Sequence, residues 1–387
     1  MDDQIKRGQP LTDIEAMSLA ISEARQGLIH VSPNPPVGCV VLDSKGCFLS
    51  KGHHEFYGGP HAEVNALRDL SATELSGAHL FVTLEPCAHE GKTPSCAKML
   101  ARTGIAKVTF GLVDPNPLVS GQGEQILKDA GIQTERQSES NKELLNDLEE
   151  VCEVFLWNFR QRKVFVTLKL ASSLDGVIAL ESGESQWITN EASRKYSHML
   201  RAQADAILVG SGTVANDNPK LNIRLDPNLG RIEKRVVIID THGVQLARFH
   251  ELQLSQVHSR ENIFWCVGSQ TEIPDWVAEK GPNILRIKET LGQQGSHLDL
   301  ENMLESLWAV GVRSVFVEGG ARLASSLLEK GLVNRLTLFS APIILGTRGG
   351  LSWTSTLRTE SMATRLELSQ VKIRTFGDNW MTTGRLT

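Results

Sequence analysis

TLEPCAHEGKTPSC, from Thr83 to Cys96, and PHAEVNAL, from Pro60 to Leu67, set a histidine, a glutamate and two cysteines at short spacings in a chain with 6 cysteines in all. H-x-E alone carries little weight, because 11 histidines and 45 acidic residues among 387 give about one such match by chance. The Pro-Cys-x8-Cys element adds far more. Cys87 follows a strand-like run and Cys96 opens a helix-like one. Both thiols then sit at one sheet edge, Cys96 at a helix start whose dipole favours thiolate. His61 likewise begins a helix. Together His61, Cys87 and Cys96 leave a tetrahedral zinc ion one open position, as catalytic rather than structural sites do. Water held there falls in pKa from about 15.7 to about 7 and supplies hydroxide at neutral pH. Glu63, two residues past His61, is placed to shuttle protons without ligating. That is the arrangement of the zinc deaminases, whose usual cysteine gap is shorter than this one. The alternative is a closed structural site with His89 or a nearby histidine as fourth ligand; His53 and His54 read more simply as loop or surface residues.

Outward from this site the chain alternates. Leu11, Ile14, Ala16, Met17, Ala20 and Ile21 give a helical apolar face over 11–26. Then come a turn (SPNPP, 32–36), a strand (VGCVVLD, 37–43), a helix from about Pro60 and a strand (AHLFVTL, 78–84). The helix CAKMLART (96–103), the strand KVTFGLV (107–113) and the helix GEQILKDAGI (123–132) complete the pattern. It predicts a three-layer α/β domain with helices on both faces of one sheet. A polar run at 137–146 and the basic RQRK at 160–163 bracket a closing helix, which puts the domain boundary at 160/161. Residues 161–387 restart with β-rich runs at 164–173, 205–210, 235–240, 262–268, 314–320 and 335–346. Helical stretches lie between them, notably 190–204 and 301–310, so a second α/β domain is expected.

Composition narrows the function classes. With 41% hydrophobic and 22% charged residues, the chain is ordinary globular material. A net charge of −5 and 5% aromatics give neither the basic footprint for duplex nucleic acid nor the stacking surface for single strands. The N-terminus is acidic, without the apolar stretch of a signal peptide, and no apolar run approaches the ~18 residues of a membrane span. A cytoplasmic protein is therefore expected, and Cys39, Cys47, Cys152 and Cys266 are expected as buried free thiols.

SPNPPVGCVV (32–41), PHAEVNAL and TLEPCAHEGKTPSC are similar to the deaminase half of the bifunctional riboflavin-biosynthesis deaminase/reductases. KLASSLDGVIA (169–179), GESQWIT (183–189), LRAQADAILVGSGTVANDNPKLNIR (200–224) and FVEGGARLASSLL (316–328) resemble the reductase half, in the same order. The resemblance implies a cytidine-deaminase-like first domain and a dihydrofolate-reductase-like second one. It implies zinc-dependent removal of the C2 amino group of 2,5-diamino-6-(5-phosphoribosylamino)pyrimidin-4-one. Reduction of the ribosyl group to ribityl by NADPH would follow. It also implies homo-oligomers. Ser32 stands where the family often has histidine, and TPSC replaces the commoner TPPC.

Residue by residue, the resemblance assigns Asn34 to the pyrimidine, although Asn34 between prolines also reads as a turn residue. It assigns Ala171, Trp187, Thr213, Asp217 and Thr241 to NADPH. The strand–glycine–helix junction at Gly320, Ala321, Arg322, Leu323, Ala324, Ser325 and Ser326 offers backbone N–H groups to the cofactor's phosphates. Without the motif, Trp187 reads as a core residue and the glycine pair as an ordinary strand–helix turn. Ser185, Arg201, Leu221, Arg224 and Glu318 match substrate positions. Paired guanidinium groups suit a phosphomonoester, against the default of surface ion pairing. Reduction needs an acid for the opening ribose ring. Lys169, Asp175, Asp217 and Glu318 are the candidates, with Asp175 before Gly176 reading equally as a turn residue. Two other readings remain at this level: a nucleoside, base or tRNA deaminase fused to an unrelated oxidoreductase, and a binding protein keeping one inactive domain.

Overall fold

Gly38–Leu42 (β1), sequence GCVVL, is buried at all five positions, which requires cover on both faces of the sheet it joins. The computed structural model shows that cover. It describes residues 5–88, 94–116, 120–137, 141–224, 232–292, 295–354 and 357–386, in two units, Met1–Arg162 and Lys163–Thr387.

In the first unit β1 is joined by Phe48–His53 (β2), His79–Leu84 (β3), Lys107–Leu112 (β4) and Gln133–Arg136 (β5), in the order β2-β1-β3-β4-β5. β1 runs antiparallel to β2 and β3, while β3, β4 and β5 are parallel. The period of two sorts the side chains. Val40, Leu42 and Phe81 pack with Met17, Ala20 and Ile21 of helix Asp13–Gly27 and with Leu144 and Leu148 of helix Lys142–Val151. Cys39, Val41, Leu80 and Val82 face the other way, onto Ala62, Ala66, Ala97, Leu100 and Leu127. A Cβ at Gly38 would stand 1.9 Å from the Ala20 carbonyl oxygen, so only glycine lets helix Asp13–Gly27 lie this close to β1.

Four features differ from what the sequence predicts. β2 and β5 are edge strands of mixed polarity, and neither carries an apolar alternation. The closing helix is two helices, Lys142–Val151 and Glu153–Gln161, with Cys152 capping both. The second of them runs through 161 and is stopped by Arg162, in the left-handed region at φ 52°, which moves the division of the chain from 160/161 to 162/163. Cys39, Cys152 and Cys266 are buried, but Cys47 is only half-buried, and all six thiols are free.

The second unit is built on Phe165–Ser172 (β6), Val177–Leu180 (β7), Ala206–Gly210 (β8), Arg235–Ile239 (β9), Ile263–Gly268 (β10), Asn283–Ile287 (β11), Glu289–Gly292 (β12), Gly295–Leu298 (β13), Ser314–Val317 (β14), Arg335–Ser340 (β15), Gly350–Ser352 (β16), Leu368–Phe376 (β17) and Asn379–Leu386 (β18). Nine form one sheet, β11-β10-β9-β8-β14-β6-β15-β18-β17. The first seven in that order are parallel, and the β17–β18 hairpin closes the edge antiparallel. One face packs on helices Leu300–Ala309 and Ala321–Glu329, the other on Val214, Leu246, Phe249 and Val277. Among the described residues no helix is long and apolar enough to cross a membrane.

Candidate functional site

In the first unit the chain leaves β3 through Glu85, Pro86 and Cys87. The buried Glu85 carboxylate accepts the backbone N–H groups of Asp114, Gly121 and Glu124 at 3.3, 3.1 and 3.2 Å, which fixes the loop after β4 against the end of β3. Ser95 caps helix Cys96–Leu100, and its hydroxyl donates to the Cys87 carbonyl oxygen at 2.8 Å. The Cys96 N–H points at Cys87 Sγ, 3.3 Å away. Opposite them, His61 is the N-cap of helix Ala62–Leu67 and Glu63 is its second residue, only 3% exposed.

His61 Nδ1 lies 3.6 Å from Cys87 Sγ and 3.4 Å from Cys96 Sγ. A tetrahedral zinc ion, with Zn–S about 2.3 Å and Zn–N about 2.0 Å, needs an N···S edge of about 3.5 Å. The residues present therefore fit the ion. No other His, Cys, Asp or Glu among the described residues joins this cluster. His89, the fourth ligand of the structural alternative, lies outside the described residues. His53 and His54 do not serve either. His53 Nδ1 meets Glu23 at 3.1 Å. His54 is buried rather than a surface residue, with Nδ1 on the Pro60 carbonyl oxygen at 2.9 Å and Nε2 on Asn34 Nδ2 at 3.1 Å.

The electrostatics agree with a metal site. Hydrogen bonding to Cys96, and further to His61, holds the Cys87 thiol down at about 4 despite burial, while the Cys96 thiol is pushed up by its bond to Cys87. Without a metal the pair shares a proton; a dication takes both as thiolates. Burial, then the charge of Cys87, raises the Glu63 pKa above the ordinary carboxylate value, which suits the carboxyl to exchange a proton closer to neutrality. Replacing Cys96 with Ser is expected to leave the protein clearly sub-stoichiometric in zinc by metal analysis; full occupancy in that variant would strike Cys96 from the ligand set.

His61, Cys87 and Glu63 open onto a cavity of about 360 Å³ that Asn34, His54, Asp114, Phe155 and Phe159 also line. His54 is the residue the sequence did not reveal. The Pro60 carbonyl only accepts, so Nδ1 carries the proton and Nε2 accepts from the Asn34 amide. Burial lowers the His54 pKa and keeps the ring neutral. Asn34 is thereby oriented with Oδ1 as its remaining acceptor.

In the second unit the expected cofactor positions other than Trp187 gather at the carboxyl ends of adjacent parallel strands. Ala171 is the penultimate residue of β6, Thr213 and Asp217 lie on helix Ser211–Asp217 after β8, Thr241 follows β9, and Gly320 follows β14. Open parallel sheets bind ligands there. Gly320 caps helix Ala321–Glu329, whose Ala321, Ala324 and Ser325 are buried, with Ser325 Oγ on the Trp353 carbonyl oxygen at 3.3 Å. Only backbone N–H groups and the more accessible Arg322, Leu323 and Ser326 then remain for a ligand. Thr241 holds its loop through its carbonyl oxygen, which accepts from Gly268 N at 2.9 Å and Thr271 Oγ at 2.8 Å.

The substrate positions are brought together in part. Arg201 Nη2 meets Glu318 Oε2 at 2.5 Å and Nη1 donates to the Asn222 carbonyl oxygen at 2.7 Å, with the two side chains 10% and 13% exposed. Arg201 is thus committed to an internal pair, while Arg224 is exposed. Burial would raise the Glu318 pKa, but Arg201 and Lys169 outweigh it and hold it down. Burial lowers that of Lys169, partly offset by Glu318. His198, absent from the sequence reading, sits among them; burial, then Arg201, pushes it down to about 4. The i,i+3 spacing of His198 and Arg201 on helix Glu191–Gln203 was its only signal.

Leu221 is buried in the core at φ 53°, so its side chain is spent on packing. Ser185 and Trp187 lie on the loop after β7. Trp187 is 65% exposed under the Arg194 guanidinium, 4.4 Å from its ring centroid, and the described contacts do not bring it to Glu318. Asp175 accepts from Ser173 Oγ, Gly346 N and Leu345 N at 2.6, 2.7 and 3.2 Å, and Ser173 foremost lowers its pKa. It ties the turn after β6 to the loop after β15. Of the two roles open to it, acid or orienting group, the geometry fits the second.

Residues 11–112 match the cytidine and deoxycytidylate deaminase zinc-binding region, and residues 164–382 match the RibD C-terminal domain. The riboflavin biosynthesis protein RibD of Aquifex aeolicus is 35% identical over 376 residues, covering 95% of this chain and 96% of that protein. The chain belongs to the RibD family. The Escherichia coli RibD protein is also 35% identical, covering 86% of this chain and 88% of its own. The structure of Acinetobacter baumannii RibD superposes with a TM-score of 0.80 at 32% identity, covering 97% of this chain and 99% of the other. A Thermotoga maritima diaminohydroxyphosphoribosylaminopyrimidine deaminase/5-amino-6-(5-phosphoribosylamino)uracil reductase gives 0.79 at 32% identity, covering 97% and 98%. The first domain is cytidine-deaminase-like and the second is the RibD reductase domain, as the motifs imply. The protein is a bifunctional deaminase and reductase of riboflavin biosynthesis.

Proposed function

We propose that the first unit releases the C2 amino group of 2,5-diamino-6-(5-phosphoribosylamino)pyrimidin-4-one as ammonia. The second unit then reduces the ribosyl group of the resulting uracil to ribityl with NADPH. The observation that carries the first step is the three-ligand cluster with a buried, proton-avid Glu63 beside it.

His61, Cys87 and Cys96 would hold zinc, which when bound there supplies water made acidic near neutral pH. The protein's own groups do the rest. Asn34, its amide set by His54, accepts from the pyrimidine edge. Glu63 takes the proton of the water that adds at C2 and passes it to the ring nitrogen. A second transfer through Glu63 lets the C–N bond break with ammonia leaving.

In the second unit NADPH would supply the hydride that C1′ of the opened ribosylamine accepts. Among the acids considered, Asp175 is tied up by Ser173, Leu345 and Gly346, Glu318 is held ionised by Arg201, and Asp217 is exposed at its helix end. Lys169, an ammonium whose pKa burial lowers, is the group suited to protonate the ring oxygen. Arg224 is the cation available for the phosphate, with Arg201 holding Glu318 in place.

The test is to follow ammonia release and loss of NADPH absorbance with the diaminopyrimidinone ribosyl phosphate. Ammonia without NADPH, and NADPH oxidation only after deamination, is the expected order. Cytidine turnover at a comparable rate would defeat the substrate assignment in favour of a nucleoside deaminase.

A further inference from the structure

The cavity in the first unit is lined by the polar groups Asn34, His54 and Glu63 and by two aromatic ones, Phe155 and Phe159. Both phenylalanines belong to helix Glu153–Gln161 and, four residues apart, share one face of it. Their ring centroids are 6.3 Å apart at 40°, within the range of interacting aromatic pairs. We infer that Phe155 and Phe159 form the aromatic wall against which the flat face of the pyrimidine is held during deamination, so that they are binding residues of this site.

Core packing does not account for the pair. Phe155 is anchored against Ala24, Val151, Cys152 and Leu156, which fixes the wall's inner end. Phe159 belongs to none of the buried clusters among the described residues and is 38% exposed. A lone exposed phenylalanine is unremarked on a protein surface, but this one lines the cavity that holds the zinc ligands. The match to the shared deaminase zinc region ends at residue 112, so helix Glu153–Gln161 lies outside the part that carries the common chemistry. A heteroaromatic ring offers two kinds of surface. Asn34, His54 and Glu63 suit its edge, and the phenylalanine rings suit its face by stacking, which tolerates any flat base. Contacts of that kind are alike in ground and transition states, so their loss raises KM and leaves kcat nearly alone.

The inference rests on the deaminase reading above, and the wild-type enzyme separates the two: no ammonia from the diaminopyrimidinone with zinc loaded overturns that reading. Given wild-type turnover, Phe159→Ala in the full chain should raise KM for ammonia release roughly 5- to 30-fold with kcat within about threefold. Phe159→Tyr should stay near wild type and Phe159→Leu should fall between. Zinc content, melting temperature and reduction of the already deaminated intermediate should not move. An unchanged KM in Phe159→Ala overturns the wall. So does an effect of Phe159→Leu that lowers kcat together with the melting temperature, since that is the signature of a merely structural ring.

Discussion

Glu63→Gln should keep its zinc and lose deamination by about 10²- to 10⁴-fold, because the carboxylate serves more than one proton transfer. The side chain is 3% exposed in helix Ala62–Leu67, and glutamine has the same shape, so packing is preserved. The three ligand side chains themselves are untouched, so the zinc content should not change. The second unit has its own sheet and core, so reduction of the deaminated intermediate should continue at the wild-type rate. Three measurements on one preparation decide it: zinc content, ammonia release and NADPH oxidation on the intermediate. Near-normal ammonia release would remove Glu63 from the mechanism. Loss of both activities would show instead that the substitution damages the chain.

The candidate cluster of His61, Cys87 and Cys96, with Glu63 beside it, was legible because each residue lies inside a short local motif, and helix starts and a strand end set their positions. His54 was not legible. Its role depends on two hydrogen bonds, to Pro60 O and Asn34, that only the folded loop creates, and a histidine beside another histidine carries no spacing signal. The buried strands were visible as apolar runs, since β1 and β8 need cover on both faces. β2, with the sequence FLSKGH, sits at an edge and is half-buried at most positions, so no alternation marks it. The β17–β18 hairpin is likewise an edge element with five consecutive exposed positions in β17. The motif placed Arg201 near the substrate, but sequence cannot show that its guanidinium is already taken by Glu318 and Asn222. Pairing partners are chosen by the tertiary fold, and they change what a matched position does.

That pairing makes Glu318→Ala the most damaging substitution expected in the second unit. Glu318 stands between Arg201, at 2.5 Å, and Lys169, which it helps keep protonated. Truncating it leaves two cations in a region where side chains are about one-tenth exposed. Breaking one partner out of a buried pair costs about 3–5 kcal/mol, because the remaining charge is desolvated without compensation. The expected result is a lower melting temperature for the reductase unit and no NADPH oxidation, while ammonia release persists. Glu318→Gln, which retains an acceptor for Arg201, should cost less. The sign of the pH dependence follows from the depressed pKa of Glu318. Its contribution is present above the ordinary value of 4.5 and is lost as pH falls through the lower folded value. The gap between wild type and Glu318→Ala should therefore be widest near neutral pH and close under acid. A gap that stayed constant down to low pH would mean that the alanine acts through packing, and the charge cluster would lose its place in the stability of this unit.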